Sequence, residues 1–179
     1  MKMMNKIWIS IPIISIGIAA ILLIINQENC SDGWYITGYY TPLESDFSGE
    51  LTEIQVDGNI IMTKNNFADT VKIEGWGKLE SGSYLGWYDS TFHISDIPLD
   101  MHGKELLPLM IAADPLVLEQ GSKIKIPTLI EPWNQEVLTV RDIGPSIKGK
   151  HVDIYTGEGD EARIETERIT SENNILCMM

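Results

Sequence analysis

Basic residues, cysteines and histidines are all scarce in this sequence. Lys and Arg number 13 against 26 Asp and Glu, for a net charge of −13. That balance argues against a nucleic-acid partner, which calls for a basic patch. Two cysteines exclude a disulfide-scaffold protein, and without a C-x-x-C pair there is no zinc-site signature. The histidines are His93, His102 and His151, far apart in sequence, so neither a metal centre nor another cofactor is expected. No G-x-S-x-G elbow occurs, and no Cys lies near a His, so nucleophilic catalysis by Ser or Cys has no local signature. Internal repeats and low-complexity linkers are also missing. What is present is 179 residues with 44% apolar and 22% charged content, enough for one folded domain and an appendage.

The appendage is at the N-terminus. Ile7 to Ile25 is a 19-residue run without a charge. As a helix at about 1.5 Å per residue it nearly spans the ~30 Å hydrocarbon core. Lys2 and Lys6 precede it. Glu28, Asp32, Glu44 and Asp46 all follow before the next basic residue, Lys64. This asymmetry places the N-terminus in the cytoplasm and the remainder outside. Asn26-Gln27-Glu28-Asn29 is a poor cleavage site, so the run reads as a retained single-pass anchor; cleavage would instead give a secreted protein. Residues 1–29 are then a cytoplasmic tip and transmembrane anchor, and residues 30–179 an extracytoplasmic domain. Without Lys2, Lys6 and Glu28 that domain carries 11 basic and 25 acidic residues, a net −14. Cys30 and Cys177 flank it, in a compartment where disulfides persist. A bridge would tie its ends together; two independent thiols are the alternative, and the Cα separation decides.

The exported domain reads as mostly β. Ile54-Gln55-Val56 and Ile60-Ile61-Met62 flank Asp57-Gly58, a strong hairpin signal. Alternating runs at 71–74, 91–94, 123–126, 137–140 and 151–155 add short strands separated by Gly, Pro, Asn or Asp, the signature of a barrel or sandwich. Lys104 to Met110 offers a turn or two of helix, and Gly159 to Arg168 reads equally as helix or strand.

Carboxylates are the chemistry this chain has in quantity, and most belong on the surface. Three aspartates sit among apolar residues at strands or strand ends: Asp114 in Met110–Leu118, Asp142 in Val140–Gly149, and Asp153 in His151–Tyr155. Alternation puts Asp153 and Tyr155 on one face of the last strand and Val152 and Ile154 on the other. Burial and a second carboxylate nearby both raise a carboxyl pKa, which suits a glycosidic general acid. Alternatively, the three cap turns and accept backbone N–H groups beside the glycines.

Ile111-Ala-Ala-Asp-Pro115, Gly121-Ser122, Asp142-Ile-Gly-Pro-Ser-Ile-Lys-Gly149, Val152-Asp-Ile-Tyr155 and Gly157-Glu-Gly159 together resemble the three-aspartate (3D) domain of MltA-type lytic transglycosylases. Thr37-Gly-Tyr-Tyr-Thr-Pro42 resembles the segment that opens the MltA domain. The resemblance implies an all-β fold, a six-stranded double-psi β-barrel with β additions. It implies cleavage of MurNAc–GlcNAc β-1,4 bonds of peptidoglycan without water, leaving a 1,6-anhydro end. By position, Asp153 would be the single acid/base at the barrel mouth, Asp142 would tune it, and Asp114 would be a supporting carboxylate. Two features depart from the family pattern. Pro145 and Ser146 replace Gly and Ala, and 28 residues separate Asp114 from Asp142; the larger second domain of the family's long members is also not expected.

Further expectations concern substrate contacts. Tyr39 and Trp133 are candidates for stacking on sugar, the former in the matching opening segment and the latter in an added loop, Glu131–Gln135. Most other aromatics are expected in the core. Thr37 would offer its hydroxyl to a sugar or bond a turn. Lys148 would approach a substrate carboxylate or neutralise Asp142. His151 shares a face with Asp153 and reads as a structural or pKa-tuning residue. The partners implied are an envelope polysaccharide and, through the N-terminal helix, a membrane. A non-catalytic carbohydrate-binding barrel (expansin-like) and a structural envelope module are the competing readings.

Overall fold

The computed structural model describes residues 29–179. The apolar run at 7–25 lies outside the described residues, so the anchor expectation is not addressed by the fold. Among the described residues no helix is long and apolar enough to cross a membrane.

Six strands close a barrel in the order β1-β10-β7-β9-β8-β11. They are β1 (Asn29–Thr41), β7 (Met110–Ala113), β8 (Lys123–Lys125), β9 (Leu138–Asp142), β10 (His151–Glu158) and β11 (Ser171–Met178). β1 and β10 run parallel, as do β7 and β9, while β10 and β7 are antiparallel. The interior is the alternate set of each strand: Trp34 and Ile36, Ile111 and Ala113, Leu138 and Val140, Val152 and Ile154. Period-two alternation therefore turns Thr37, Ala112 and Asp153 to the outer wall.

The β additions form a second sheet, inserted between β1 and β7. Its order is β3-β2-β6-β5-β4, from β2 (Leu51–Val56), β3 (Asn59–Lys64), β4 (Trp76–Lys78), β5 (Tyr84–Tyr88) and β6 (Thr91–Ser95). The Asp57-Gly58 hairpin has the expected register, Val56 opposite Asn59, with positive φ at both turn residues. Asp57 also accepts the Ile94 N–H at 2.9 Å, stitching the turn to β6. Glu44, buried after β1, accepts from Thr63 Oγ1 at 2.6 Å, Lys64 N and Glu80 N. One carboxylate thus joins the end of the first barrel strand to two parts of the inserted sheet.

Two sequence expectations are corrected. Residues 71–74 are not a strand; they end helix α1 (Asn65–Glu74). Phe67, Ala68 and Val71 are its buried face, at helical spacing, and pack on Val56, Leu85 and Phe92 of the second sheet. Gly75 closes the helix at φ 89°. The 104–110 stretch is not helical but a loop leading into β7. The ambiguous 159–168 stretch is helix α2 (Gly159–Ile169), with Ala162, Thr166 and Ile169 buried. α2 lies so close to β1 that a Cβ on Gly38 would sit 2.8 Å from the Thr166 Cα, so the G of Thr37-Gly-Tyr-Tyr is a packing requirement.

Cys30 and Cys177 stand opposite each other in β1 and β11 and are disulfide-bonded, 147 residues apart. A cross-link closing a loop of that length removes unfolded-chain entropy worth up to roughly 5 kcal/mol. Reduction, or the Cys30→Ala/Cys177→Ala pair, is therefore expected to lower the unfolding free energy by about 2–5 kcal/mol, seen as a lower urea midpoint, without abolishing the fold signature at room temperature. Unchanged midpoints for oxidised and reduced protein would remove this contribution.

Candidate active site

Cross-strand register builds the site. Thr37 pairs with Asp153, Asp153 with Ala112, and Ala112 with Asp142, one lateral row across four adjacent strands. Asp142 joins that row because of an irregularity in β9. Ile111 pairs with Val140 but Ala112 pairs with Asp142, so Arg141 is skipped and Asp142 takes the outward face. Arg141 instead bonds Asp100 through Nη2 at 3.0 Å. Asp153 is thus on the outer wall of the barrel, not at its mouth as expected.

The inserted sheet and α1 stand over this wall. Between them is a cavity of about 810 Å³. Ala112, Asp142, Asp153 and Tyr39 line the barrel side, while Glu74, Trp76, Trp87 and Tyr88 line the other. Gly144 and Pro145 also line it. Pro145 follows Gly144 in a turn closed by Ile147 N–H to Gly144 O at 3.0 Å, a position where Pro needs no donor and its fixed φ fits.

Asp153 is mostly covered, and burial lifts its pKa to about 6. Its Thr37 bond opposes the rise, and the nearby Asp142 charge adds to it. Thr37 Oγ1 donates to Asp153 Oδ1 at 2.6 Å, and His151 Nε2 lies 2.9 Å from the same Oγ1. The single hydroxyl proton serves Asp153, so His151 donates from Nε2 when the aspartate is ionised. Burial lowers the His151 pKa, which favours the neutral ring. Asp142 is also raised, chiefly by burial, although Ile143 N–H at 2.9 Å and the Tyr39 hydroxyl at 3.1 Å both bond it. Tyr39 therefore does reach the cavity, holding Asp142.

Glu74 is the residue the sequence reading missed. Burial lifts it to about 7, against a Tyr40 N–H bond at 3.1 Å that opposes the rise, with the Asp153 charge adding to it. It occupies the last turn of α1, where the helix dipole also disfavours an anion. The helical spacing of Phe67, Ala68 and Val71, followed by Gly75, was the signal that could have placed it.

Other expected residues lie elsewhere. Asp114 accepts Leu116 N–H at 3.0 Å and Gly149 N–H at 2.9 Å, bonds that hold its pKa low, and it does not line the cavity. It fastens two loops, the turn-capping alternative. Lys148 is exposed and acts on Asp114, not Asp142. Trp133 is buried in the barrel core with Nε1 donated to Glu165, so the added loop plugs the barrel and its ring is not open to sugar. Thr37 gives its hydroxyl to Asp153.

A closed six-stranded barrel with an inserted sheet and an outward pair of raised carboxyls defines a class of fold with an acidic cleft. Residues 109–177 match the 3D domain, and the chain's fold is that of the MltA lytic transglycosylases. Escherichia coli MltA with bound chitohexaose is 14% identical, with a TM-score of 0.60 over 82% of this chain and 71% of that one. MltA from Neisseria gonorrhoeae is 14% identical, with a TM-score of 0.58 over 82% and 72%. The lytic transglycosylase LtgG of Burkholderia pseudomallei is 15% identical, with a TM-score of 0.53 over 91% and 79%. A search of curated proteins finds no match.

The raised carboxyls predict a pH signature. A carboxyl whose folded pKa is raised stabilises the fold fully below its ordinary value and loses that contribution as pH rises through the folded value. For Asp153 that window runs from its ordinary 3.8 to about 6. Asp153→Asn should thus be more stable than the parent above pH 7, by on the order of 2 kcal/mol, the gap shrinking toward pH 4. Urea unfolding at several pH values measures this, and a gap independent of pH would contradict the assignment.

Proposed function

We propose that this protein is a membrane-anchored lytic transglycosylase acting on an envelope glycan, with MurNAc–GlcNAc-type β-1,4 linkages as the substrate. The observation that carries this reading is Asp153. It is a carboxyl with a pKa near 6, fixed by Thr37, on the floor of a glycan-sized cavity whose far wall is aromatic. The chitohexaose bound to Escherichia coli MltA supports a glycan ligand. The closed barrel, with its parallel pairs β1/β10 and β7/β9, is read as the double-psi form.

Protonated Asp153 gives its proton to the glycosidic oxygen as the C1–O bond breaks. The sugar's own 6-hydroxyl oxygen then closes on C1, and its proton returns to the Asp153 carboxylate. One carboxyl suffices because the nucleophile belongs to the substrate, whereas two-carboxylate glycosidases position a second residue for water or covalent attack. Asp142 stays close enough to raise Asp153, and Tyr39 keeps it oriented. Thr37 fixes which oxygen of Asp153 faces the cleft. The N-terminal run at 7–25 is read as the anchor holding the domain outside the cytoplasm.

Full-length protein in detergent, incubated with murein and followed by mass spectrometry, tests this. Products with 1,6-anhydro ends are expected. Asp153→Asn should lower their rate by 10²–10⁴-fold, roughly the worth of a positioned proton donor. Asp142→Asn should cost less, and Asp114→Asn should act on stability alone. Parental activity should fall about tenfold per pH unit above the Asp153 value. Glycan binding that survives Asp153→Asn, with no cleavage by the parent, would support the carbohydrate-binding reading instead.

A further inference from the structure

Between residues 29 and 179 the 11 Lys and Arg side chains divide sharply. Six hold a carboxylate within 4 Å: Lys64, Lys72, Lys78, Arg141, Arg163 and Arg168. Lys104, Lys123, Lys125, Lys148 and Lys150 have no such partner among the described residues. Four of these five gather at one end of the barrel, in a domain that is otherwise strongly acidic.

Strand pairing and three hydrogen bonds locate that end. Asn29, where β1 begins, pairs with Met178, and Met178 pairs with Ile124, which places Lys123 and Lys125 beside the start of β1. Lys150 Nζ donates to Asp32 O at 2.7 Å, three residues further along β1. Gly149 N–H reaches Asp114, which in turn holds Leu116 N–H. The loop after Asp114 therefore belongs to the same end, and its tip is Leu116, 93% exposed, beside exposed Val117. Asp32 and Glu119 are exposed here too. The apolar run at 7–25 ends four residues before Asn29, with only Asn26, Gln27 and Glu28 between.

We infer that this end of the barrel docks on the anionic surface of a lipid bilayer, the Leu116–Val117 tip entering the interface and Lys123, Lys125, Lys148 and Lys150 facing the headgroups. Apolar tips with flanking lysines are the physical pattern of interfacial binding. The short connection to the apolar run means that an anchored chain holds this end against the bilayer, so the unpaired charge and the apolar tip meet the lipid rather than bulk water. Docking also sets a reach. Thr37, the partner of Asp153, is eight residues up β1 from Asn29, so the cleft acts within roughly 26 Å of the surface at about 3.3 Å per residue.

The inference rests on the anchor reading but not on the glycan chemistry, and its test needs no glycan. Full-length protein is reconstituted into vesicles of neutral phosphatidylcholine or of phosphatidylcholine with 30% phosphatidylglycerol, and amide hydrogen exchange is followed. Exchange across 115–121 and 146–150 should slow by about tenfold or more in the anionic vesicles relative to the neutral ones. Exchange in helix α1, which belongs to the inserted part and packs on Val56, Leu85 and Phe92, should not change. Leu116→Ser/Val117→Ser, at exposed positions that leave the core intact, should remove most of the slowing. Lys→Gln at 123, 125, 148 and 150 should remove the lipid dependence. Equal exchange in the two lipids, or slowing confined to helix α1, overturns the dock. Cosedimentation with neutral vesicles reports the anchor separately. Should the chain fail to sediment with them, sedimentation with anionic vesicles alone would still support the dock, and sedimentation with neither would overturn it.

Discussion

The site depends on one constraint, the parallel pairing of β1 with β10 at the Thr37–Asp153 register. Slipping that register by one residue would turn Asp153 into the barrel and Val152 or Ile154 out of it, because side chains alternate. The apolar interior forbids the slip, since Val152 and Ile154 are fully buried against Ile36, Ile111 and Val140. The same hydrophobic packing that closes the barrel therefore fixes which carboxyl faces the cleft. The β9 irregularity does for Asp142 what the pleat does for Asp153, and Ala112 between them is small enough to leave the wall open.

Burial is the second half of the arrangement. A barrel wall alone would leave the row in water, with ordinary carboxylates. The inserted sheet covers it, and the closeness of the two bodies is secured by Glu44, whose carboxylate accepts three bonds from the inserted part. Raised pKa values then follow from desolvation at Asp153, Asp142 and Glu74. Asp114 shows the contrast. It lies in the same motif, but two backbone N–H groups meet its oxygens and hold its pKa down.

Much of this was legible in the sequence where a local rule decides the structure. The Asp57-Gly58 turn set its hairpin, and alternation in His151–Tyr155 correctly separated the faces of β10. The motif around Asp142 and Asp153 led to the closed six-stranded barrel. Illegible were matters of long-range packing. Val71-Lys-Ile-Glu74 alternates over too few residues to distinguish strand from helix, and the deciding contacts with Leu85 and Phe92 are tertiary. The position of Trp133 in an extra loop predicts an indole open to sugar. The extra loop instead closes one end of the barrel, where burying an indole is favourable once Glu165 takes its N–H.

Glu74 raises the question of what a second protonatable carboxyl does beside a one-carboxyl mechanism. Burial raises both carboxyls and the charge of Asp153 adds to the rise at Glu74, so a proton on Asp153 removes a like charge from beside Glu74. The two titrations belong to the pair rather than to either residue, so the cleft's charge changes over a broader span than a single aspartate would give. Since the Tyr40 N–H binds one Glu74 oxygen, the residue is held in place on the inserted side while Asp153 is held on the barrel. The proton balance of the cleft thus depends on the fit between the barrel and the insertion, and a change that separates them lowers both carboxyls together.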